Sequence, residues 1–212
     1  MKLFAKTFFL TVLIALSVSA RAADGSSLKP PAGVKVAVVM FEDLQCPSCA
    51  INYPRVWATA NEHHVPVLLR DFPLGPSHPW SFEAAIWARF FDAKSEKLGN
   101  DFRAYLFRNQ PSIYPGNLQQ WVQKFADDNH VALPFVSDPQ GKLKAKVVAD
   151  HDFGVKIGVS STPTIFVVSN TESREVTKPD ELSQVIEDVQ KKAGPDRPVK
   201  GTTATGRKKK KS

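Results

Sequence analysis

The chain's two cysteines, Cys46 and Cys49, stand in the stretch Phe41-Glu42-Asp43-Leu44-Gln45-Cys46-Pro47-Ser48-Cys49-Ala50. Two thiols at this spacing can close a small disulfide ring when the segment opens a helix, which makes redox chemistry the first reading. The apolar run Val34-Lys35-Val36-Ala37-Val38-Val39-Met40-Phe41 predicts a strand directly before the pair, and a helical pattern follows it. Free amides and the helix dipole at a helix N-terminus favour thiolate over thiol, so Cys46 is expected to titrate below a free cysteine. Cys49, one turn deeper, is expected to be shielded and to act as the resolving thiol. Pro47 suits the first helical turn, where its fixed φ is already helical and its missing N–H has no partner to lose. Ser48 offers Cys46 only a hydroxyl and a backbone N–H.

Two other uses of the pair compete. Zinc needs further ligands, and the five histidines offer only the adjacent His63 and His64, whose side chains leave the chain in different directions. No metal is therefore assigned. A purely structural disulfide closing so short a loop would constrain the unfolded chain little.

The elements that must position the pair follow from the apolar pattern. After the strand from about Val34 to Phe41, a helix opened by Pro47 is expected to reach about Asn61, bent by Pro54. A second strand, Val67 to Phe72, completes a right-handed parallel βαβ unit. From Pro79 to about Ile157 the spacing of Trp80, Ala84, Trp87, Phe91, Phe102, Leu106, Leu118, Val122 and Phe125 is helical, a pattern that packing requires. Breaks are expected at Gly99, Pro111, Pro115 and Pro134, with a further helix starting on Asp138 as N-cap and Pro139. Strands return at Thr164 to Val168 and Arg174 to Thr177, and a last helix runs from Pro179 to Gly194. The expected class is α/β: βαβ plus ββα in a mixed four-stranded sheet, interrupted by a helical insertion.

The two ends read differently from this core. Residues 1–22 have the form of an export signal: Lys2 and Lys6, an apolar stretch from Phe8 to Val18 too short for a comfortable span, and Ala20-Arg21-Ala22 as a cleavage site. The formal net charge of +7 is misleading, because residues 23–190 carry 16 basic and 20 acidic groups, a net of −4. A positively charged folded face is thus not expected, which argues against a nucleic-acid-binding domain. The basicity sits in residues 195–212 and the two lysines before them. That tail, ending in Arg207-Lys208-Lys209-Lys210-Lys211-Ser212, is expected to be disordered, with a contact to an anionic membrane surface as a further use.

Taken together, these features resemble a DsbA-like thiol-disulfide oxidoreductase of the thioredoxin superfamily, from about Val34 to Lys192. The resemblance rests on Asp43 to Cys49 at the strand-to-helix junction, on Pro54, on Arg70-Asp71-Phe72-Pro73-Leu74 followed by His78-Pro79-Trp80, and on Gly158-Val159-Ser160-Ser161-Thr162-Pro163-Thr164-Ile165-Phe166. It implies a thioredoxin-like domain over 34–78 and 158–194 after a leader, 23–33, with 79–157 as the inserted helical domain. It also implies that Cys46 forms the mixed disulfide, that Cys49 resolves it, and that Pro163 is cis, turning the backbone of Thr162 toward the cysteines and an extended substrate. Pro47 and Ser48 would support the pair. One departure stands out. Many relatives carry a buried acid six residues before the first cysteine, where this chain has Met40, and Glu42 is not assumed to inherit its role. With no histidine between the cysteines, a milder oxidant is expected.

The implied activity is exchange of the Cys46–Cys49 disulfide with unfolded or thiol-bearing exported proteins in the periplasm or another exported compartment. A membrane redox partner would restore the disulfide. No cofactor is called for, and a monomer is expected. A reductase or isomerase of the same fold, or a non-catalytic peptide- or metal-binding relative, are the alternatives.

Overall fold

The computed structural model describes residues 23–194; the expected export signal and the basic tail lie outside the described residues. The chain runs β1 (Val36–Glu42), α1 (Pro47–Glu62), β2 (Val67–Asp71), α2 (Ser81–Asp92), α3 (Glu96–Asn109), α4 (Leu118–Asp128), α5 (Lys142–Lys156), β3 (Thr164–Ser169), β4 (Ser173–Glu175) and α6 (Leu182–Ala193). The four strands form one sheet in the order β2-β1-β3-β4. β1 pairs in parallel with β2 and antiparallel with β3, and β3 pairs antiparallel with β4. This is the expected mixed sheet, with the insertion of α2 to α5 between β2 and β3.

All seven residues of β1 are buried, as its near-continuous apolar run requires of a central strand. Strand alternation divides the core in two. Val36, Val38 and Met40 pack with Cys49 and Val56 of α1, Phe102 and Leu106 of α3, and Ile186 of α6. Ala37, Val39 and Phe41 face Phe72, Ile157 and Phe166 on the opposite side. There α5 comes close to the sheet at Gly154, where an added Cβ would lie 2.7 Å from the Phe72 ring and 3.1 Å from that of Phe41.

Several boundaries differ from the sequence reading. β1 starts at Val36 and continues through Glu42, and β4 is confined to Ser173–Glu175. Gly99 does not break a helix. It lies inside α3 because a Cβ there would meet Asp92 Oδ1 at 1.8 Å, so it marks close packing of α3 on α2. The real interruption is at residues 93–95, and Ser95 Oγ caps α3 by accepting from Leu98 N at 3.1 Å. The last inserted helix starts at Lys142 instead of Pro139, because Gly141 takes a left-handed φ of 67° at the N-cap. Asp138 still serves that end, accepting from Lys144 N at 2.8 Å across the intervening turn.

The contact at Gly154 is directly testable. Gly154→Val forces branched carbon into two aromatic rings and is expected to destabilise the fold by about 1–3 kcal/mol, read as a lower urea midpoint.

Candidate active site

Cys46 is the N-cap of α1 and Pro47 its first helical residue, as the sequence predicts. Both thiols are unlinked and buried, Cys46 at 6% exposure and Cys49 at 0%. Facing them is the loop before β3, in which the Thr162–Pro163 peptide is cis. The Cys46 thiol donates to Thr162 O at 3.2 Å, so the structure brings together Cys46, Cys49, Thr162 and Pro163, residues 116 positions apart in the chain. Thr164 Oγ1 donates to Ser161 O at 2.8 Å and closes the turn on its far side. Pro47 and Ser48 lie on the exposed surface of the first turn. Ser48 acts through its backbone; its carbonyl accepts from Asn52 Nδ2 at 2.8 Å and its hydroxyl accepts from the same nitrogen at 3.4 Å.

The two sulfurs are electrostatically unequal. Hydrogen bonding from the Cys49 thiol is the largest influence lowering the Cys46 pKa from 9.0 to about 5, aided by the Thr162 hydroxyl and the backbone N–H groups of Cys49 and Ser48 and opposed by burial. In the thiol state the Thr162 hydroxyl is buried and has no hydrogen-bond partner among the described residues, which leaves it available to the thiolate. Burial pushes Cys49 far the other way, reinforced by its bond to Cys46 and by negative charge on Cys46 and Glu42.

The segment entering the helix is fixed by bonds from three directions. Asp43 is buried; its Oδ1 accepts from Gln45 N and its Oδ2 from Leu74 N, each at 2.6 Å, and His78 Nδ1 lies 2.8 Å from Oδ2. Gln45 Oε1 accepts from Trp80 N at 2.9 Å. Gln110 donates its amide to Leu44 O at 2.9 Å and to Cys46 O at 3.2 Å. None of these was assigned to the site from sequence. Asp43 carried a local signal, a side chain able to bond the backbone two residues on. Gln110, reaching across the insertion, carried none.

Beneath the pair lies a buried charge cluster. Glu42 shares its face of β1 with Met40, two residues along, and is 1% exposed. Arg103 of α3, equally buried, places Nε 3.0 Å from Glu42 Oε1, Nη1 2.7 Å from Asp92 Oδ1 and Nη2 3.7 Å from Asp71 Oδ1. Arg89 bonds Asp71 and Asp150, and Arg70, 43% exposed, bonds Asp150 at 2.6 Å and brings the chain of charges to solvent. Burial dominates at Glu42, raising its pKa from 4.5 to about 8 in spite of Arg103. The acid set aside in the sequence reading thus ends β1, on the face it shares with Met40, and its charge reaches Cys49.

Residues 32–188 match the family model described as Thioredoxin, and the chain belongs to that family. Family and site together define a thiol-disulfide oxidoreductase of the thioredoxin fold. The fold is similar to that of Wolbachia pipientis alpha-DsbA1, at 18% identity and a TM-score of 0.62 over 78% of this chain and 90% of that one. It is also similar to Pseudomonas aeruginosa DsbA2, at 20% identity and a TM-score of 0.55 over 82% of this chain and 98% of that one. A periplasmic thioredoxin-like protein from Salmonella enterica serovar Typhimurium shares it at 16% identity and a TM-score of 0.59, over 74% and 86% of the two chains. No curated protein sequence matches the chain.

The Cys46 thiolate should appear in the ultraviolet absorbance of the reduced protein with a midpoint of about pH 5. Thr162→Val removes one donor to the thiolate and is expected to raise that midpoint by about 1 pH unit. Because the folded pKa lies below the unfolded one, Cys46 stabilises the reduced fold fully above pH 9.0, and that contribution is lost as pH falls through about 5. Chemical denaturation of the reduced protein at several pH values measures it; Cys46→Ser abolishes this component.

Proposed function

We propose that this protein oxidises thiols of exported polypeptides, using Cys46 as the sulfur that is attacked and Cys49 as its partner. The observation that carries this reading is the stabilised Cys46 thiolate. A disulfide whose reduced form is stabilised is a stronger oxidant, and a thiolate of low pKa is a good leaving group. A client thiolate attacks Cys46 of the disulfide, forming a client–Cys46 bond while the electron pair of the broken S–S bond leaves on Cys49, which takes up a proton. A second client thiolate then attacks the client sulfur and expels Cys46 as thiolate. The client has lost two electrons and gained a disulfide; the protein is left as the dithiol.

Glu42 is the group we assign to the proton of Cys49. Its pKa of about 8 lets it hold or release a proton near neutrality, and its charge opposes that of Cys49, so a proton on one favours a thiolate on the other. The polar backbone beside cis Pro163 is suited to pair with an extended client strand, as Thr162 O already pairs with Cys46. The export-signal pattern of residues 1–22, and the periplasmic description of the Salmonella relative, support an exported location. There thiols are not held reduced and a membrane redox partner can restore the disulfide. In this reading the protein works as a monomer, with 34–78 and 158–194 as the thioredoxin-like domain and 79–157 as the inserted one.

Cys49→Ser is expected to accumulate a mixed disulfide with an oxidised client, visible on non-reducing gels, because its Cys46 thiolate opens the client disulfide, expels the other client sulfur as thiolate and has no Cys49 to resolve the new bond. Cys46→Ser should trap nothing and lose all oxidase activity. A glutathione equilibrium in which the protein rests reduced at oxidising poise supports the oxidase. A strongly reducing potential, with Cys46 found reduced in the cell, supports a reductase or isomerase instead. Glu42→Gln should slow the step that releases or reforms the Cys49 thiol about 10–100-fold and remove the limb of its pH profile centred near 8.

A further inference from the structure

The loop between α4 and α5 exposes Phe135 completely and Val136 by 51%. It leads straight into α5, whose solvent side carries Lys142, Lys144, Lys146 and Lys156 together with exposed Val148 and Val155. None of these four lysines makes an ion pair among the described residues. Of the acids nearby, Asp150 is turned inward onto Arg70 and Arg89. Asp138 is held by the backbone amides of Lys142, Leu143 and Lys144, which leaves Asp152, with His151 beside it at 3.6 Å, as the one exposed acid on the helix. The region is thus a basic, partly apolar strip on a body whose residues 23–190 carry a net charge of −4.

We infer that this loop and the outer face of α5 form a docking surface for an anionic lipid bilayer. The shape and the chemistry favour that occupant. Phe135 and Val136 stand out from the surface, uncovered by any of the described residues, and a protruding aromatic and aliphatic pair is what the boundary between headgroups and acyl chains accepts. Lysines on the same segment, without an ion pair among the described residues, can lay their methylene stems along that boundary and set their ammonium groups among lipid phosphates. The residues involved are distinct from the dithiol site and from the basic tail, so this surface stands apart from the oxidase reading.

The test uses the full chain in flotation with vesicles of neutral phosphatidylcholine alone and of phosphatidylcholine with phosphatidylglycerol. Wild type is expected to float only with the anionic vesicles. Phe135→Ser with Val136→Ser, a change that leaves every charge in place, should weaken that binding about tenfold, and Lys142→Gln, Lys144→Gln and Lys146→Gln together should weaken it at least as much. Unchanged thermal melting and an unchanged Cys46 thiolate titration establish that both variants are folded. Binding retained by the Ser variant overturns the inference and leaves the tail as the membrane contact; an absence of flotation by wild type overturns both. Two further results also overturn it: slower oxidation of a reduced client by the Ser variant without vesicles, which makes the loop a client site, and a concentration-dependent dimer abolished by the same change.

Discussion

The organisation of this molecule depends on keeping two neighbouring sulfurs in opposite protonation states. Cys46 sits at the open end of α1, where backbone N–H groups have no carbonyl partners, and receives hydrogen bonds from Cys49 and the backbone of Ser48 and Cys49. Cys49 is one turn further in, sealed from solvent, where a charge has nothing to solvate it. The same short segment therefore creates both a stable anion and a reluctant one. Without that difference the pair would be an ordinary dithiol, and the loop at Thr162–Pro163 would face a sulfur of no particular reactivity.

The charge cluster below the pair has the wrong economy for a stabilising device. Burying Glu42, Asp71 and Arg103 removes each from water, and attraction among them returns only part of that loss, which is why Glu42 and Asp71 both resist ionisation. Arg103 remains firmly charged because Asp92, Asp71 and Glu42 all face it. An apolar core in the same volume would serve stability as well or better. In the function proposed above, the cluster supplies an acid that titrates near pH 8 and whose charge acts on Cys49, linked through Asp71, Arg89 and Asp150 to Arg70 at the surface.

Much of this was legible in the sequence because it is local. The apolar run ahead of Cys46, the proline after it and the helical spacing from Trp80 to Phe125 each act within a few residues, so the succession of elements and the helix-entrance seat of the dithiol could be read directly. The errors fall where a distant partner decides. Gly99 looked like a break because a glycine weakens an isolated helix, yet its missing side chain makes room for Asp92, which holds Arg103. Glu42 lay beyond the strand expected to end at Phe41, and only its pairing with Asp71 of β2 shows that the strand includes it. Gln110 carried no local signal, since its bonding partners are carbonyls more than sixty residues earlier.

These distant partners share an origin: Arg103, Asp92 and Gln110 all belong to the segment inserted between β2 and β3. The βαβ and ββα halves by themselves place Cys46 opposite Thr162, which is enough for thiol exchange in principle. The insertion adds a donor to the carbonyl of Cys46, fixing where the first turn of α1 begins, and a cation against Glu42, limiting how far burial can raise that acid. A sheet-and-helix frame positions the sulfurs, and the inserted helices set the carbonyl geometry and the proton chemistry around them. The active site is thus a joint product of two sequence blocks, and for that reason changes confined to the insertion are expressed at a dithiol none of its residues contains.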